Sequence, residues 1–286
     1  MREQQHPPVN GRLVPDGTPY TIDQVQQKTV LRLSEAYATV MPGRAFLTGR
    51  TAAVLYGLPV AHGDELEVGM PAPASAPQGR GIRGIKVRPS LVNLREHEGL
   101  RLSTPASTWA SLGRELSVRE LIIIGDAIVC IPRDERGRRQ PALQLASIDQ
   151  LRRAMNAGRR RGGAKLREAL EHVRIGSASP LETEFRLDAA SAGLPNVELD
   201  VEIRTGTGKL LGITEVSYPE FRTLVEIEGD RHRTDKRQWD RDIEKYASYV
   251  AEGWEVVRLT SRHIRGSHPR AVAMVAEVLA RRGWRR

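Results

Sequence analysis

The chain has 286 residues, the length of about two average domains, and carries 44 Lys and Arg against 35 Asp and Glu, a formal net charge of +9. Its 40% hydrophobic and 28% charged residues can bury a core, which excludes the collagenous, low-complexity and intrinsically disordered classes. The longest apolar run, from Leu121, breaks at Asp126, far short of the roughly 20 residues that a membrane-spanning helix needs.

From the N-terminus, residues 1–20 are polar with Pro and Gly and are expected to be loosely ordered. They hold no apolar stretch of the secretory type, and the single cysteine, Cys130, leaves no disulfide framework. The expectation is therefore a soluble, cytoplasmic protein with Cys130 as a small buried hydrophobe. Thr21 to Tyr37 reads as a helix with Val25, Val30, Leu31 and Leu33 on its apolar stripe. A short helix over Arg50–Tyr56 stops at Gly57 and Pro59. Leu66–Met70 and Ile85–Arg88 have strand composition around a Pro/Gly/Ala loop. Thr104 begins another helix, and Ser117 caps one that runs to Ile131.

These elements predict an α/β domain over residues 21–131. Residues 132–162 then form a basic linker with a helix from Ser147 to Ala157, closed by Arg159, Arg160, Arg161, Gly162 and Gly163. Between 131 and 175 there are twelve Lys and Arg against five acids, so seven of the nine net charges lie there. Such clustering suits a polyanion, because neutralised phosphates release counterions. It equally suits a solvated linker face. Arg159, Arg160, Arg161 and Lys165 are the candidate contacts to nucleic acid. A second basic group, ending at Arg286, reads as a solvated helix end.

A second domain is expected over residues 163–286. Helices at Ala164–Arg174 and Pro180–Ala192 precede three strands, Val197–Thr205, Leu210–Ser217 and Arg222–Glu228. A helix over Gln238–Glu252 ends at Gly253, followed by a strand from Trp254 and a helix over Pro269–Arg281. The order β-β-β-α-β-α points to one mixed sheet, and the whole chain to an α/β (α+β) class. Glu215 lies on the second strand, and Glu226 and Glu228 lie two apart on the third, so period-2 geometry turns both to one face. Acids interleaved with Leu224, Val225 and Ile227 are costly in a buried strand unless paired or metal-bound. A solvated edge strand would explain the same pattern.

Five ordered segments carry a resemblance. They are Ser-Pro-Leu-Glu-Thr at 179–183, Glu-Val-Ser-Tyr-Pro-Glu at 215–220, Leu-Val-Glu-Ile-Glu-Gly-Asp-Arg-His at 224–232, Gln-Trp-Asp-Arg-Asp at 238–242 and Gly-Trp-Glu-Val-Val-Arg at 253–258. Together they resemble the endonuclease-like domain related to very-short-patch-repair (Vsr-like) endonucleases of the PD-(D/E)xK superfamily. The resemblance implies a restriction-endonuclease-like fold and Mg²⁺- or Mn²⁺-dependent DNA cleavage. It places the metal-binding acids on Glu215, Glu226 and Glu228, and a helical glutamate on Glu182. Two positions depart from the pattern: Glu215 replaces the usual Asp, and Glu228 stands where the superfamily has Lys. Water activation would then fall to the metal or to His232, whose near-neutral pKa suits proton transfer, although His232 also fits a surface histidine. Ser179 and Glu182 fit a capping box, with Glu182 returning to the Ser179 amide. Trp239 and Trp254 read as core before they read as base-stacking residues.

Residues 47–59 and 99–108 resemble the AbiEi-like abortive-infection antitoxins, without the winged-helix start that such proteins often carry. Arg50 and Thr51 would stand at a helix start near phosphate, or simply follow a Thr48 cap. The leading expectation is a DNA endonuclease acting in defence or repair. The alternative is a non-catalytic, antitoxin-like DNA-binding regulator on a degenerate nuclease fold, and RNA is an open third substrate. Cutting both strands would favour a homodimer.

Overall fold

The computed structural model describes residues 22–228 and 236–285, with side chains from residue 24 and, in the second segment, from 243. The chain divides into two compact units, Met1–Arg174 and Ile175–Arg286. Both combine helices with a mixed sheet, so the α+β class expected from the element order is the observed one. Among the described residues no helix is long and apolar enough to cross a membrane.

In the first unit the helices are α1 (Ile22–Ala38), α2 (Gly49–Leu55), α3 (Pro105–Leu112), α4 (Val118–Val129), α5 (Ile148–Asn156) and α6 (Gly163–His172). Its strands are β1 (Phe46–Leu47), β2 (Leu66–Pro71), β3 (Gln78–Gly79), β4 (Ile82–Val87), β5 (Leu94–His97) and β6 (Leu100–Ser103). They form one sheet in the order β3-β4-β2-β1-β6-β5. Only β2 and part of β4 are expected from alternation. The two-residue β1 is too short to show any period, yet it sits inside the sheet, antiparallel to β2 and parallel to β6. Phe46 faces Gly69 across the β1–β2 ladder, and a Cβ on Gly69 would lie 2.3 Å from the Phe46 ring. That glycine makes room for the fully buried phenyl group.

Helix boundaries follow the caps. Ser117 and Ser147 both form complete capping boxes, with Glu120 and Gln150. Val25 and Leu33, expected on the buried stripe of α1, are 53% and 49% exposed, while Val30 and Ser34 are buried. The packed face is therefore set by the i, i+4 pair Val30 and Ser34 rather than by the apolar residues alone. Trp109 is fully buried and satisfies its indole by donating to Leu121 O at 2.9 Å. The helix α6, expected with the second domain, belongs to the first unit. Its Leu166 lies against Gly113 at the end of α3, and Asp126 of α4 accepts the Arg174 amide at 2.8 Å.

The start of α2 is held by Glu67 on β2, which is 4% exposed. Its Oε2 accepts the Arg50 amide at 2.7 Å and its Oε1 accepts from Arg83 Nη1 at 2.9 Å. Thr48 occupies the N-cap position but makes no side-chain cap bond. Arg50 donates instead to Ala61 O at 2.8 Å and pairs with Glu115. The Thr51 hydroxyl is buried and accepts the Glu67 amide at 2.7 Å. Both residues that the sequence places near phosphate are thus used inside the unit.

The second unit carries α7 (Pro180–Ser191), β7 (Glu198–Arg204), β8 (Leu210–Tyr218), β9 (Thr223–Glu228), α8 (Lys236–Ala251), β10 (Glu255–Thr260), α9 (Ser261–Arg265) and α10 (Ala271–Arg281). The sheet order is β10-β9-β8-β7, with β9 and β10 parallel and the other pairs antiparallel. On one face Val216, Tyr218, Val225, Ile227, Val257 and Leu259 pack with Phe185 of α7 and with Val275 and Leu279 of α10. On the other, Ile203 and Leu224 pack with Tyr249 of α8.

Two outcomes test this description. Glu67→Ala removes the carboxylate from the Arg50 amide and Arg83, and is expected to lower stability by about 2 kcal/mol, read as a fall in the urea midpoint at constant slope. The buried Tyr56 donates to Ser103 O at 2.9 Å, and burial pushes its pKa up from 10.0 to about 12. A raised folded-state pKa means that this stabilisation is complete below the unfolded value and is lost as pH climbs through the folded one. Denaturation midpoints should therefore fall between pH 10.0 and about 12, and fall less in Tyr56→Phe.

Candidate active site

Alternation along β8 and β9 decides which acids meet. Val216, Tyr218, Val225 and Ile227 belong to the α7 and α10 face, so Glu215, Glu226 and Glu228 are left on the face beneath α8. The β8–β9 ladder runs from Tyr218↔Thr223 to Val216↔Val225. Just beyond it, Glu215 Oε2 accepts the Ile227 amide at 2.5 Å. A side chain thus takes over where the β8–β9 ladder ends, and it carries the Glu215 carboxylate to the neighbouring strand.

Glu226 is 6% exposed. Its Oε2 accepts from Lys245 Nζ of α8 at 2.8 Å, while its Oε1 is buried and has no hydrogen-bond partner among the described residues. A buried carboxylate with one oxygen left unmet is a costly arrangement. It is the kind that a ligand, water or ion relieves. Lys245 is placed by α8, whose Tyr249 and Lys245 lie over Gly212 of β8; a Cβ there would fall 2.4 Å from the Tyr249 hydroxyl and 3.1 Å from Lys245 Cε. Close approach of helix to sheet is possible because residue 212 has no side chain. Tyr249 is fully buried, and its hydroxyl has no hydrogen-bond partner among the described residues. Burial raises its pKa, and the charges of Glu226 and Glu215 nearby raise it further.

Glu228 behaves differently. It is turned toward β10, where Arg258 Nε donates to its Oε1 at 2.6 Å. Arg258 in turn lies 5.1 Å from the centre of the Tyr246 ring. Among the described residues no three His, Cys, Asp or Glu side chains come together as a metal-binding group. Glu215 and Glu226 are brought together beside Tyr249, and Glu228 forms the rim of the site through its arginine.

Glu182 opens α7, which packs on the opposite face of the sheet. Its amide donates to Ser179 Oγ at 3.3 Å, as the cap predicts. Its carboxylate, 3% exposed, accepts the amide of Ala178 at 2.7 Å, one residue before the amide that a capping box would use. His232 lies outside the described residues, as does the side chain of Trp239. Trp254 is partly buried against the cluster under α8 with the Arg222 guanidinium 5.7 Å from its ring.

The four basic residues nominated from the sequence split into two kinds. Arg160 Nη2 donates to Ala154 O at 2.7 Å and Leu91 O at 3.3 Å, and its burial lowers its pKa. Lys165 Nζ donates to Leu116 O at 2.8 Å. Both are therefore engaged by the first unit's own backbone, whereas Arg159 and Arg161 are exposed. The residues that sequence reasoning missed are Lys245 and Arg258, and a signal existed for the first: a lysine one helical turn before the buried Tyr249, on the helix that follows the acidic strand.

The unpartnered hydroxyl of Tyr249 makes a direct test of this packing. Tyr249→Phe removes a buried polar group without opening a cavity, so its thermal midpoint should equal or exceed that of the parent chain.

Comparison with known proteins adds kinship without a function. Two curated proteins, both described as uncharacterized, from Mycobacterium tuberculosis strains CDC 1551 / Oshkosh and H37Rv, are each 25% identical to this chain over 272 residues. Each alignment covers 92% of this chain and 91% of the relative, so the similarity runs through both units. No protein-family model matches the chain, and no solved structure does.

Proposed function

We propose that the protein is a cytoplasmic, metal-dependent endonuclease that hydrolyses phosphodiester bonds of DNA, in defence or repair, at the β8–β9 fork beneath α8. The observation that carries this reading is Glu226: a buried carboxylate with one oxygen unpartnered among the described residues, the other on Lys245, beside a second acid delivered by the adjacent strand. Mg²⁺ typically takes one or two protein carboxylates and fills its remaining positions with water and phosphate oxygens, so Glu215 and Glu226 suffice as its protein ligands. When bound, such an ion would polarise the phosphate and lower the pKa of the attacking water.

The chain's own groups supply the rest. Lys245 holds a fixed positive charge 2.8 Å from Glu226, where negative charge develops on a phosphate during cleavage. This gives the site a lysine although the strand position usual for one holds Glu228. Arg258, held at the rim by Glu228 through Nε and Nη2, adds positive charge there that would favour an approaching phosphate. Tyr249 and the apolar residues around it fill the space beneath α8 and keep bulk water from the inner side of Glu226.

One observation favours the second reading, a non-catalytic DNA-binding regulator. Glu226 and Glu228 each have a cationic partner, and ion pairs of this kind can stand as structure alone. A supercoiled-plasmid nicking assay separates the two. The endonuclease reading expects nicking with Mg²⁺ or Mn²⁺ that EDTA abolishes and that falls at least about 100-fold in Glu226→Gln and Lys245→Met, with thermal midpoints confirming that both variants fold. Absence of nicking in either metal, with DNA binding intact, would establish the regulator.

A further inference from the structure

The most basic stretch of the chain folds as a helical hairpin, and its guanidiniums have two different fates. In the turn between α5 and α6, residues 157–162, Arg160 points inward and fastens the turn to two carbonyls. Gly158 and Gly162 flank it. A Cβ at Gly162 would lie 1.9 Å from Gly113 O and 2.8 Å from the Arg114 amide, so the turn is seated directly on the end of α3. Gly162 has φ +80, a conformation that glycine adopts without strain.

This seating gathers exposed cations. Arg159 and Arg161 sit on either side of the anchored Arg160 and are both exposed. Arg114, 52% exposed, follows the residue on which Gly162 rests. The Arg167 guanidinium folds back toward the start of α6, where a Cβ on Gly163 would be 3.8 Å from its Nη1. Arg159, Arg161 and Arg167 make no hydrogen bond or ion pair among the described residues. Among the described residues Arg114 reaches only Glu115, at 3.6 Å, and Glu115 is already shared with Arg50 and Arg83. Exposed guanidiniums gathered at one turn without acidic partners among the described residues favour a polyanion, whose binding also releases its own counterions.

We propose that the α5–α6 turn grips the phosphate backbone of duplex DNA through Arg114, Arg159, Arg161 and Arg167, with Arg160 as the residue that positions the turn. The choice of DNA among polyanions rests on the proposed function. The grip itself rests on charge and geometry within the first unit, apart from the carboxylate site of the second. Because Arg160 fixes the turn beforehand, less conformational freedom is lost on binding than a mobile loop would lose.

The test is fluorescence anisotropy of a labelled DNA duplex with the full chain in EDTA, with log Kd followed against log salt. Each phosphate contact contributes about 0.9 to the slope, so Arg159→Ala with Arg161→Ala should lower it by about 1.8. Arg44→Ala with Arg136→Ala removes the same charge from other exposed positions of that unit and should leave the slope unchanged. Arg160→Lys keeps the charge but not the fork that spans two carbonyls, and should lower the slope if positioning matters; an unchanged slope would remove that role. An unaltered slope in the turn variant, or an equal fall in the control pair, overturns the grip. Tighter binding of an RNA duplex with the same slope overturns the assignment to DNA. Loss of nicking with the slope change intact sinks only the endonuclease, and nicking with an unaltered slope sinks only the grip.

Discussion

The second unit is organised around the burial of a carboxylate on an inner strand. Glu226 lies between Val225 and Ile227, whose side chains fill the opposite face of the sheet, so its own side chain must turn under α8. A charge there has to be neutralised or hydrogen-bonded, and the ammonium of Lys245 does this at 2.8 Å. That requirement fixes where α8 lies. It brings Lys245 and Tyr249 over Gly212, closes the second cluster around Leu224, and leaves the Oε1 atom of Glu226 buried without a partner among the described residues.

The first unit meets comparable demands by using its backbone. Glu67 is buried on β2 and spends one oxygen on the amide that starts α2, the other on Arg83. Arg160 meets two carbonyls, and Lys165 meets the carbonyl of Leu116. In each case a charged side chain completes the hydrogen bonding of backbone groups at an element end. Arginines therefore divide by what the backbone around them lacks. Arg160 is drawn in by carbonyls left open near the end of α5, whereas Arg159 and Arg161, one residue away on either side, remain outside.

Local signals were strong wherever an element carries its own period and cap. The boxes at Ser117 and Ser147 and the Ser179 cap of α7 place helix starts to within a residue, and the order of elements in the second unit is readable from β7 to β10. The sheet of the first unit was mostly hidden. The strand β1 has two residues, and β5 is largely exposed, so neither repeats long enough to show alternation. Their pairing depends on partners distant in sequence, such as Leu47 with Leu102. The carboxylate face was legible because Glu226 and Glu228 are two apart on a strand, but their partners were not. Lys245 is 19 residues from Glu226 and Arg258 is 30 from Glu228, and no spacing rule links a strand acid to a cation on a later helix or strand.

The amino-acid sequence by itself determined the order of the strands and longer helices in the second unit, that Glu226 and Glu228 share one face of their strand, and that most of the excess positive charge is concentrated between residues 131 and 175. These follow from nearest-neighbour geometry: a period of two, a period of 3.6, and caps within a turn. Only the tertiary structure decided that Glu228 belongs to Arg258 while Glu226 belongs to Lys245, that α6 packs with the first unit, and that Arg160 is tied to the backbone where its neighbours are exposed. Those outcomes depend on desolvation and on groups that meet only after the chain has folded, and charge in a sequence carries no record of which charges will be buried together.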